Sequence, residues 1–476
     1  MAQFSTSHTK VIATIGPATA SYEMLESLMK AGVNVFRLNF SHGTHNDHRE
    51  VIERIIELNH TYDAHISMLA DLQGPKLRIG EVENNAVMLR DGAELLFTRT
   101  PCLGTASKVY MSYENFAADV QPGEFVLVDD GKLKLEVLET NGTDLVRTQV
   151  VHGGILSSRK GVNLPDTKVS LPSLTPKDIE DVLFALEYNI DWIALSFVRS
   201  ARDIEPLREI LRREKKIARI VAKIEKPEAL LCLDDIIDAS NGVMVARGDM
   251  GVEVPFYQVP AIQKEIVAKC LLKAKPVIIA TQMLESMITN FMPTRAEAND
   301  VANAVLDGAD AVMLSGESST GKYPVEAVEA MQQIITHTES QGFSYFREVL
   351  PVPGSLTFLP DSICLNACRL AEQTEASTIV VFTFSGYTAL KIASYRPKAR
   401  IVVFTHNKAL VRKMALIWGT TAFHFDKIVD IDESVAESLE YMKMHQIVHP
   451  GEVVVHVGSV PVIEKGQTNM LRLSYV

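Results

Sequence analysis

The chain has 476 residues, of which 47% are hydrophobic and 22% are charged, a balance typical of soluble globular proteins with large cores. At roughly 150 residues per domain, this length predicts about three domains. The 47 Lys and Arg residues against 59 Asp and Glu give a net charge of −12, which argues against nucleic acid and membrane surfaces as partners.

The N-terminal residues, the lengths of the apolar runs and the cysteines indicate the cellular compartment to be expected. The first residues, MAQFSTSHTK, lack the apolar core of a signal peptide, and no apolar run approaches the roughly 18 residues that span a bilayer. The 5 cysteines are scattered and contain no CxxC pair, which is typical of reduced thiols. We therefore expect a cytoplasmic protein without a membrane segment.

Short apolar runs, each followed by an amphipathic helical pattern, recur along roughly the first 340 residues. Their near-continuous hydrophobicity is typical of parallel strands that are buried on both faces. Several helices begin after a capping residue, such as Ser21 or Thr175, the latter followed by Pro176. The predicted strands span residues 10–17, 33–41, 66–72, 191–197, 218–225, 242–249, 276–282 and 310–317.

This succession of strand–helix units predicts a (β/α)8 TIM barrel. The alternative is an open doubly wound sheet, which usually has fewer units and a glycine-rich first turn, and the chain contains no GxGxxG. After a proline-containing linker near residues 342–360, helix and strand alternate again, which predicts a further α/β domain.

The gap after the third predicted strand has a different texture, rich in Gly, Asp and Asn. Asp130-Gly131 and Asn141 with its following glycine each separate two alternating runs and predict β-hairpins, with Asp129 and Asp130 serving the first turn. We expect a small β-barrel domain inserted on the substrate side of the TIM barrel, where it can act as a lid. The predicted α/β organisation is therefore barrel at 1–74, inserted domain at 75–170, barrel again at 171–341 and C-terminal domain at 342–476.

Polar side chains end most of the predicted barrel strands, and in a TIM barrel these ends converge on one site. Any one of them could simply end a buried strand. Arg37, Lys223 and Arg247, however, lie inside or against apolar runs, and a buried cation needs a partner or a ligand. Together with Glu225 and Asp249 they predict a site for an anionic substrate and a hard divalent metal such as Mg2+.

Six segments carry a more specific pattern: NVFRLNFSHGTH (34–45), KGVNLPD (160–166), AKIEKPEAL (222–230), MVARGDMGVE (244–253), ATQMLESM (280–287) and PTRAEANDVANAVLDGADAVMLSGE (293–317). These segments closely resemble the signatures of the pyruvate kinase family. The resemblance runs in order across nearly the whole chain, including the inserted segment and the C-terminal domain. It implies a TIM barrel, a mobile β-barrel lid and an α/β C-terminal domain.

The resemblance also implies an activity, namely transfer of phosphate from phosphoenolpyruvate to ADP with Mg2+ or Mn2+ as cofactor. It implies that Lys223 and Arg37 are catalytic and contact the transferring phosphate, and that Thr281 lies where the enolate is protonated. Glu225 and Asp249 match the metal ligands. The implied substrate-binding residues are Arg37, Lys223, Gly248, Asp249, Thr281 and Ser315, and the implied nucleotide-binding residues are Asn39, His42, Arg78 and Lys160.

One departure from the family pattern concerns K+. Many members hold K+ beside the substrate phosphate with residues matching Asn39, Ser41, Asp71 and the residue that follows, where they have threonine, and with a glutamate five positions after the aspartate. This chain has Leu72 and Lys76 instead. A lysine can supply its own ammonium charge, so we expect the K+ shell to be optional or vestigial. The alternative is that Lys76 is an ordinary solvated residue.

The C-terminal domain often binds a sugar phosphate in this family. Loop 383–388, TFSGYT, has hydroxyls and backbone N–H groups suited to one phosphate. The later loop, 458–469, lacks the Trp and Arg of relatives that respond to fructose-1,6-bisphosphate and offers Glu464 and Lys465. We expect little response to that compound, while another phosphorylated effector stays open. The resemblance also implies a homotetramer.

Two other functions stay open at this stage. A Mg2+-dependent barrel aldolase or lyase shares the carboxylate pair and the enolate chemistry, but it needs neither Lys223 on a phosphoryl group nor a nucleotide-covering insertion. A non-catalytic regulator would be expected to have lost Lys223, Glu225, Asp249 or Thr281, and all of them are present.

Two motifs are interpreted as decoys. GESSTGK (316–322) resembles a phosphate-binding loop, but the lysine is followed by Tyr323 instead of serine or threonine, so the hydroxyl that would bind Mg2+ is misplaced. His42, His45 and His48 match no zinc pattern and predict the start of a helix.

Overall fold

The computed structural model describes residues 7–426, 431–460 and 468–476. Elements are numbered along the chain. The first part of the barrel contains β1 (Lys10–Ile15), α1 (Tyr22–Ala31), β2 (Val35–Asn39), α2 (His45–Tyr62) and β3 (Ser67–Asp71). The predicted cap at Ser21 is confirmed, because its side chain accepts the N–H of Met24 at 3.3 Å.

A β-rich domain follows β3. Its elements are β4 (Ala86–Leu89), β5 (Glu94–Thr98), β6 (Lys108–Tyr110), α3 (Phe116–Asp119), β7 (Phe125–Val128), β8 (Leu133–Thr140), β9 (Leu145–His152), β10 (Gly154–Ser157) and β11 (Val162–Asn163). One sheet has the order β11-β7-β8-β9-β5-β6, and β10 pairs with β4. Both predicted hairpins are confirmed, since β7 and β9 each pair antiparallel with β8.

The segment at residues 78–82 closes this sheet on itself. Arg78 bridges Gly161, which precedes the edge strand β11, and Ile79 bridges Met111, which follows the opposite edge strand β6. Because one segment contacts both edges, no long unpaired edge is left between them. The inserted domain is therefore a separate β-rich sheet domain whose two edges are bridged by one segment.

The chain then returns to the TIM barrel. Its elements are α4 (Pro176–Glu187), β12 (Trp192–Leu195), α5 (Glu205–Arg213), β13 (Arg219–Ile224), α6 (Pro227–Leu231), α7 (Leu233–Ala239), β14 (Gly242–Ala246), α8 (Arg247–Glu253), α9 (Val259–Leu272), β15 (Val277–Ala280), α10 (Arg295–Asp307), β16 (Ala311–Leu314), α11 (Gly316–Ser319) and α12 (Pro324–Gln341). Within the described residues the parallel barrel closes in the order β1-β16-β15-β14-β13-β12-β3-β2, which confirms the predicted fold class. Thr175 and Asp178 form a capping box at the start of α4, as Thr175-Pro176 predicts.

The C-terminal domain is an α/β unit. Its elements are α13 (Phe358–Gln373), β17 (Thr378–Phe382), α14 (Tyr387–Ser394), β18 (Arg400–Thr405), α15 (Lys408–Lys413), β19 (Thr420–His424), α16 (Ile431–Met444), β20 (Val453–Gly458) and β21 (Met470–Tyr475). The sheet order is β19-β18-β17-β20-β21, with β21 antiparallel to β20. Among the described residues, no helix combines the length and the apolar character that a membrane crossing requires.

A buried charged contact joins the barrel to the C-terminal domain. Asp310, which precedes β16, accepts hydrogen bonds from Arg396 at 2.8 Å and from the N–H of Trp418 at 3.1 Å. The Arg396 guanidinium also lies 5.0 Å from the centre of the Trp418 ring. Both charged side chains are almost fully buried, so neither can lose the other without a large free-energy cost. The two domains therefore share one core.

His456 on β20 gives the C-terminal domain a pH-sensitive position. Its side chain is fully buried, stacks on Phe382 at 6.3 Å between ring centres, and has no hydrogen-bond partner for either nitrogen among the described residues. Burial, and secondarily the charge of Arg472, lower the pKa of His456 to about 4. An unfolded histidine has a pKa of about 6.5, so between these values the unfolded chain binds a proton that the folded chain does not.

Folding stability should therefore fall as the pH drops through this window, by about 2 kcal/mol between pH 7 and pH 5 from this residue. His456→Phe should remove that part of the loss, measured as the shift in urea unfolding midpoint between the two pH values. His60→Phe, at an exposed position, is the matched control and should leave the shift unchanged. An equal shift in wild type and His456→Phe would contradict the prediction.

Candidate active site

The carboxyl ends of the barrel strands bring a buried charged cluster together. Lys223 Nζ lies 3.2 Å from Asp71 Oδ1 and 2.9 Å from Glu225 Oε1, and it donates to Ser196 Oγ at 2.7 Å. Arg37 donates to Asp71 Oδ2 from Nε at 2.7 Å and from Nη2 at 2.6 Å. One carboxylate, that of Asp71, thus orients two cations.

Electrostatics keep these groups charged. Burial alone would lower the pKa of Lys223, but the carboxylates of Asp71, Glu225 and Asp249 raise it above its usual value. Burial acts to raise the pKa of Asp71, yet the positive charges of Lys223 and Arg37 outweigh burial and lower it. Lys223 is therefore protonated and Asp71 ionised at neutral pH.

Glu225 and Asp249 have the features of a divalent-metal site. Burial raises the pKa of Glu225, and the negative charge of Asp249 raises it further, so the two carboxylates share one environment. Apart from its ion pair with Lys223, Glu225 Oε1 has no hydrogen-bond partner among the residues that the structure describes. Paired carboxylate oxygens are ligands that Mg2+ prefers, and the residues present fit that ion.

The turn after β15 is strained. Thr281 and Gln282 both have left-handed backbone angles, with φ of 67° and 54°, which is costly for a β-branched residue such as threonine. Thr281 Oγ1 accepts the N–H of Gly248 at 2.7 Å and donates to the carbonyl of Ala280 at 2.6 Å. The hydroxyl is thereby held in one orientation beside Gly248.

Arg247 stabilises this strained turn. Its guanidinium donates to the carbonyl of Thr281 at 2.8 Å and pairs with Asp300 at 2.7 Å. The guanidinium is thus occupied by the turn and by a carboxylate of α10, and the expected contact of Arg247 with the substrate stays a prediction.

Ser315 lies directly after β16, at the same end of the barrel. Its N–H donates to Glu317 Oε2 at 2.7 Å, and its hydroxyl is buried without a hydrogen-bond partner among the described residues. An unpaired buried hydroxyl is costly, which is consistent with a position that a ligand would complete.

The predicted nucleotide-side residues lie partly on the inserted domain. Lys160 forms an ion pair with Asp129 at 2.8 Å, and Arg78 donates to the carbonyl of Arg159 at 3.0 Å. Asp129 therefore does more than serve its hairpin turn, the role that the sequence analysis gave it, because it also orients Lys160.

His42 follows β2 and Lys76 follows β3, at the same end of the barrel. Partial desolvation lowers the pKa of His42, and the charges of Lys76, Arg78 and Arg37 lower it further. The Lys76 side chain is exposed, yet the surrounding protein and Arg78 lower its pKa, while Asp249 acts in the opposite direction. Lys76 is therefore subject to charges of both the inserted domain, through Arg78, and the barrel, through Asp249.

The remaining residues of the predicted K+ shell surround Asp71. Asn39 Oδ1 accepts the N–H of Ser41 at 3.1 Å. The side chain of Leu72 is buried, and its carbonyl accepts the hydroxyl of Ser196 at 2.7 Å.

The comparisons with known proteins cover almost the whole chain. A family model described as "Pyruvate kinase, barrel domain" matches residues 6–328, and one described as "Pyruvate kinase, alpha/beta domain" matches residues 361–474. The chain belongs to the pyruvate kinase family. It therefore transfers phosphate from phosphoenolpyruvate to ADP, giving pyruvate and ATP, the glycolytic reaction of this family. The aldolase and regulator alternatives are thereby set aside.

Individual pyruvate kinases are likewise similar to this chain over almost its whole length. The chain is 42% identical to the enzyme of Geobacillus stearothermophilus, covering 98% of this chain and 80% of that one. It is 42% identical to the enzyme of Corynebacterium glutamicum, covering 98% and 97%. The crystal structure of a pyruvate kinase from Cryptosporidium parvum superimposes with a TM-score of 0.91 at 34% identity, covering 98% and 96%.

Three contacts in this pyruvate kinase site were not predicted from the sequence. Ser196 anchors Lys223, Thr14 accepts a hydrogen bond from Arg37 at 2.9 Å, and the N–H of Phe197 donates to Glu225 Oε2 at 2.9 Å. Thr14 carried a usable signal, since it is a polar residue inside the buried strand β1. Phe197 carried none, because it acts through its backbone with a φ of 55°.

The residues of the two interpreted decoys make structural contacts of their own. His45 starts α2 and contacts Asp181 at 2.8 Å, and His48 contacts the carbonyl of His42 at 3.0 Å. The first four residues of GESSTGK form the short helix α11 in the last barrel loop.

Proposed function

We propose that phosphoryl transfer takes place over the buried cluster, with Lys223 and Arg37 on the transferring phosphate. The observation that carries this assignment is that one buried carboxylate, Asp71, lies within 3.2 Å of both cations. Phosphoryl transfer mainly requires alignment and charge neutralisation. Cations that are already oriented by a carboxylate and by Ser196 need little reorganisation during the reaction.

We assign Glu225 and Asp249 as the residues that hold Mg2+ or Mn2+. When bound, such an ion supplies Lewis-acid stabilisation to the phosphoryl and enolate oxygens. The N–H of Asp249 and the unpaired hydroxyl of Ser315 are assigned to the substrate carboxylate, and Gly248, whose N–H donates to Thr281 Oγ1, is assigned to the same part of the site. A carboxylate here would meet donors that are already fixed by the fold.

Thr281 is assigned to protonation of the enolate. Its hydroxyl is held between the N–H of Gly248 and the carbonyl of Ala280, at the end of the site that carries the proposed carboxylate donors. A hydroxyl fixed in this way can hold, by its remaining lone pair, a water molecule from which the proton reaches the enolate carbon, leaving hydroxide that solvent reprotonates. The strained turn supports this role, since strain persists where function requires one geometry.

Residues 75–170 are proposed as the lid, inserted between barrel segments 1–74 and 171–341, with 342–476 as the C-terminal domain. Arg78 and Lys160 on the lid, and Asn39 and His42 on the barrel rim, are assigned to ADP. Their charges suit the phosphates of a nucleotide, and closure of the lid would exclude water from the transfer.

A coupled assay tests the proposal. Pyruvate formed from phosphoenolpyruvate is reduced by lactate dehydrogenase, and the loss of NADH is followed with and without ADP and Mg2+. Activity is expected only when both are present. Pyruvate formation that does not depend on ADP would contradict the assigned nucleotide side.

Fructose-1,6-bisphosphate is expected to have little or no effect. Loop 383–388 leads into α14, and the carbonyl of Ser385 in this loop accepts a hydrogen bond from Arg219 of the barrel at 3.1 Å. Glu464 and Lys465 of the later loop lie outside the described residues. Initial rates at subsaturating phosphoenolpyruvate, with and without the sugar bisphosphate, check this expectation. Strong activation at micromolar concentration would contradict it, and other sugar phosphates can be screened in the same assay.

We further propose a cytoplasmic homotetramer, as the family implies. Apolar rings on the barrel surface support assembly, since Phe256 and Tyr257 pack edge to face and remain 81% and 69% exposed. Exposed aromatic side chains of this kind are typical of subunit interfaces.

A further inference from the structure

The inserted domain contacts the barrel at a buried ion pair. Lys226 Nζ lies 2.6 Å from Glu253 Oε1, and the two side chains are only 9% and 1% exposed. Asn163, on strand β11 of the inserted domain, donates from Nδ2 to the same Glu253 oxygen at 2.8 Å. A side chain of the lid thus reaches into a charged pair that belongs to the barrel.

This ion pair is next to the proposed metal ligands. Lys226 directly follows Glu225, and Glu253 ends helix α8, which carries Asp249. A displacement of Lys226 or Glu253 would therefore occur within a few residues of the proposed metal ligands.

A second contact brings the lid to the same helix. Gly131, at the tip of the β7–β8 hairpin, approaches Val252 so closely that a Cβ at Gly131 would lie 3.7 Å from Val252 Cγ1. The hairpin tip and Asn163 therefore both meet α8, and the lid is seated on this helix rather than held by its connecting segments alone.

The three polar groups differ in how easily they can separate. Lys226 and Glu253 are buried together, and parting them would leave an uncompensated charge. Asn163 is neutral and can return to water at little cost. Glu253 Oε2 is buried without a hydrogen-bond partner in the described part of the chain, so the donation from Asn163 adds to a poorly satisfied carboxylate. The bond that can open and close is the one between Asn163 and Glu253.

We propose that Asn163, Glu253 and Lys226 form a latch that holds the lid over the nucleotide side of the cleft. The inference rests on the proposed function, because Arg78 and Lys160, which the lid carries, are assigned there to ADP. Asn163 is a positioning residue that touches no substrate. Since the phosphoenolpyruvate side is built from barrel residues, the latch governs ADP binding in particular.

Asn163→Asp tests the latch with almost no change in shape. It replaces the donating amide by a carboxylate that faces Glu253. A hydrogen bond to a charged group, when lost, corresponds to a change of about tenfold or more in an equilibrium. We expect KM for ADP to rise about tenfold, with KM for phosphoenolpyruvate within about twofold of wild type and the melting temperature nearly unchanged. Asn84→Asp, at an exposed lid position, is the matched control and should behave as wild type.

A charge exchange supplies the rescue. In the double variant Asn163→Asp/Glu253→Gln, the negative charge moves from the barrel to the lid, and the amide at 253 can donate to the carboxylate at 163. Lys226 still faces one negative charge. KM for ADP should return to within about threefold of wild type. If each substitution instead caused a structural defect, the two increases in KM for ADP would add in the double variant.

A measurement without turnover separates the latch from the catalytic assignment. Small-angle X-ray scattering of the free enzyme should show a larger radius of gyration for Asn163→Asp than for wild type, and a restored value for the double variant. An unchanged radius and an unchanged KM for ADP would overturn the latch, as would a loss of kcat and melting temperature alone. If the wild-type enzyme forms no pyruvate, but the radius of gyration of the two variants changes as expected, the proposed function is overturned and the latch is supported.

Discussion

Lys223→Met is expected to lower kcat by a factor of about 100 to 1,000, because a preorganised charge at a transferring phosphoryl group is typically worth about 3–4 kcal/mol. Methionine keeps the length and the apolar stem but removes the ammonium that Asp71, Ser196 and Glu225 orient. The measurement is kcat in the coupled assay at saturating substrates. Near wild-type turnover would show that the assigned role is wrong.

Controls for folding and for substrate binding accompany the Lys223→Met variant. Arg37 remains paired with Asp71, so we expect the fold and the binding of phosphoenolpyruvate to be largely retained, measured by thermal unfolding and by calorimetric titration. Ser196→Ala is the graded comparison, since it removes the 2.7 Å hydrogen bond but keeps the ammonium charge. Its expected loss in kcat is about tenfold. An equal loss in both variants would indicate that orientation, not charge, decides the rate.

Full activity without K+ is the second large expected effect. In the family pattern, K+ supplies one positive charge near the phosphate, and here Lys76, whose side chain is exposed, is near enough to Arg78 and Asp249 for their charges to affect its pKa. A flexible lysine can place that charge itself. Initial rates in tetramethylammonium buffer should be within about twofold of those in matched KCl. Many-fold activation of the wild type by K+ would contradict this expectation.

Lys76→Glu is expected to create a dependence on K+. The substitution removes the internal cation and makes the pocket more anionic, so activity in tetramethylammonium buffer should fall about tenfold or more and recover on addition of KCl. Adding Leu72→Thr is expected to strengthen the response. Lys108→Glu makes the same charge change at an exposed lid position and should show no response to K+. If KCl does not change the activity of the Lys76→Glu variant, Lys76 is an ordinary solvated residue.

Much of the fold could be predicted from the sequence because the barrel strands are buried on both faces and so appear as apolar runs. The ends of these strands were predicted less accurately. The run at 10–17 predicts a longer strand than Lys10–Ile15, since Gly16 and Pro17 leave the sheet while the apolar character continues. The inserted domain was predictable from its hairpin turns, which depend on local sequence.

The charged cluster was predictable for a different reason, which is that a cation inside an apolar run must have a partner. Lys223 and Arg37 satisfy that rule. The roles of Phe197 and Arg247 depend on backbone conformation and on a carboxylate from a distant helix, and local sequence does not encode either. The latch at Asn163 was equally hidden, because it joins residues 90 positions apart.

The closing pair of the TIM barrel, β1 with β16, has a consequence for the order of folding. Lys10 pairs with Ala311, so during synthesis the first strand must wait for about 300 further residues before its ring can shut. The inserted domain lies within that interval, and all of its strand pairs join residues between 86 and 163. Every strand of the lid is therefore synthesised before the last strand of the ring that it will cover.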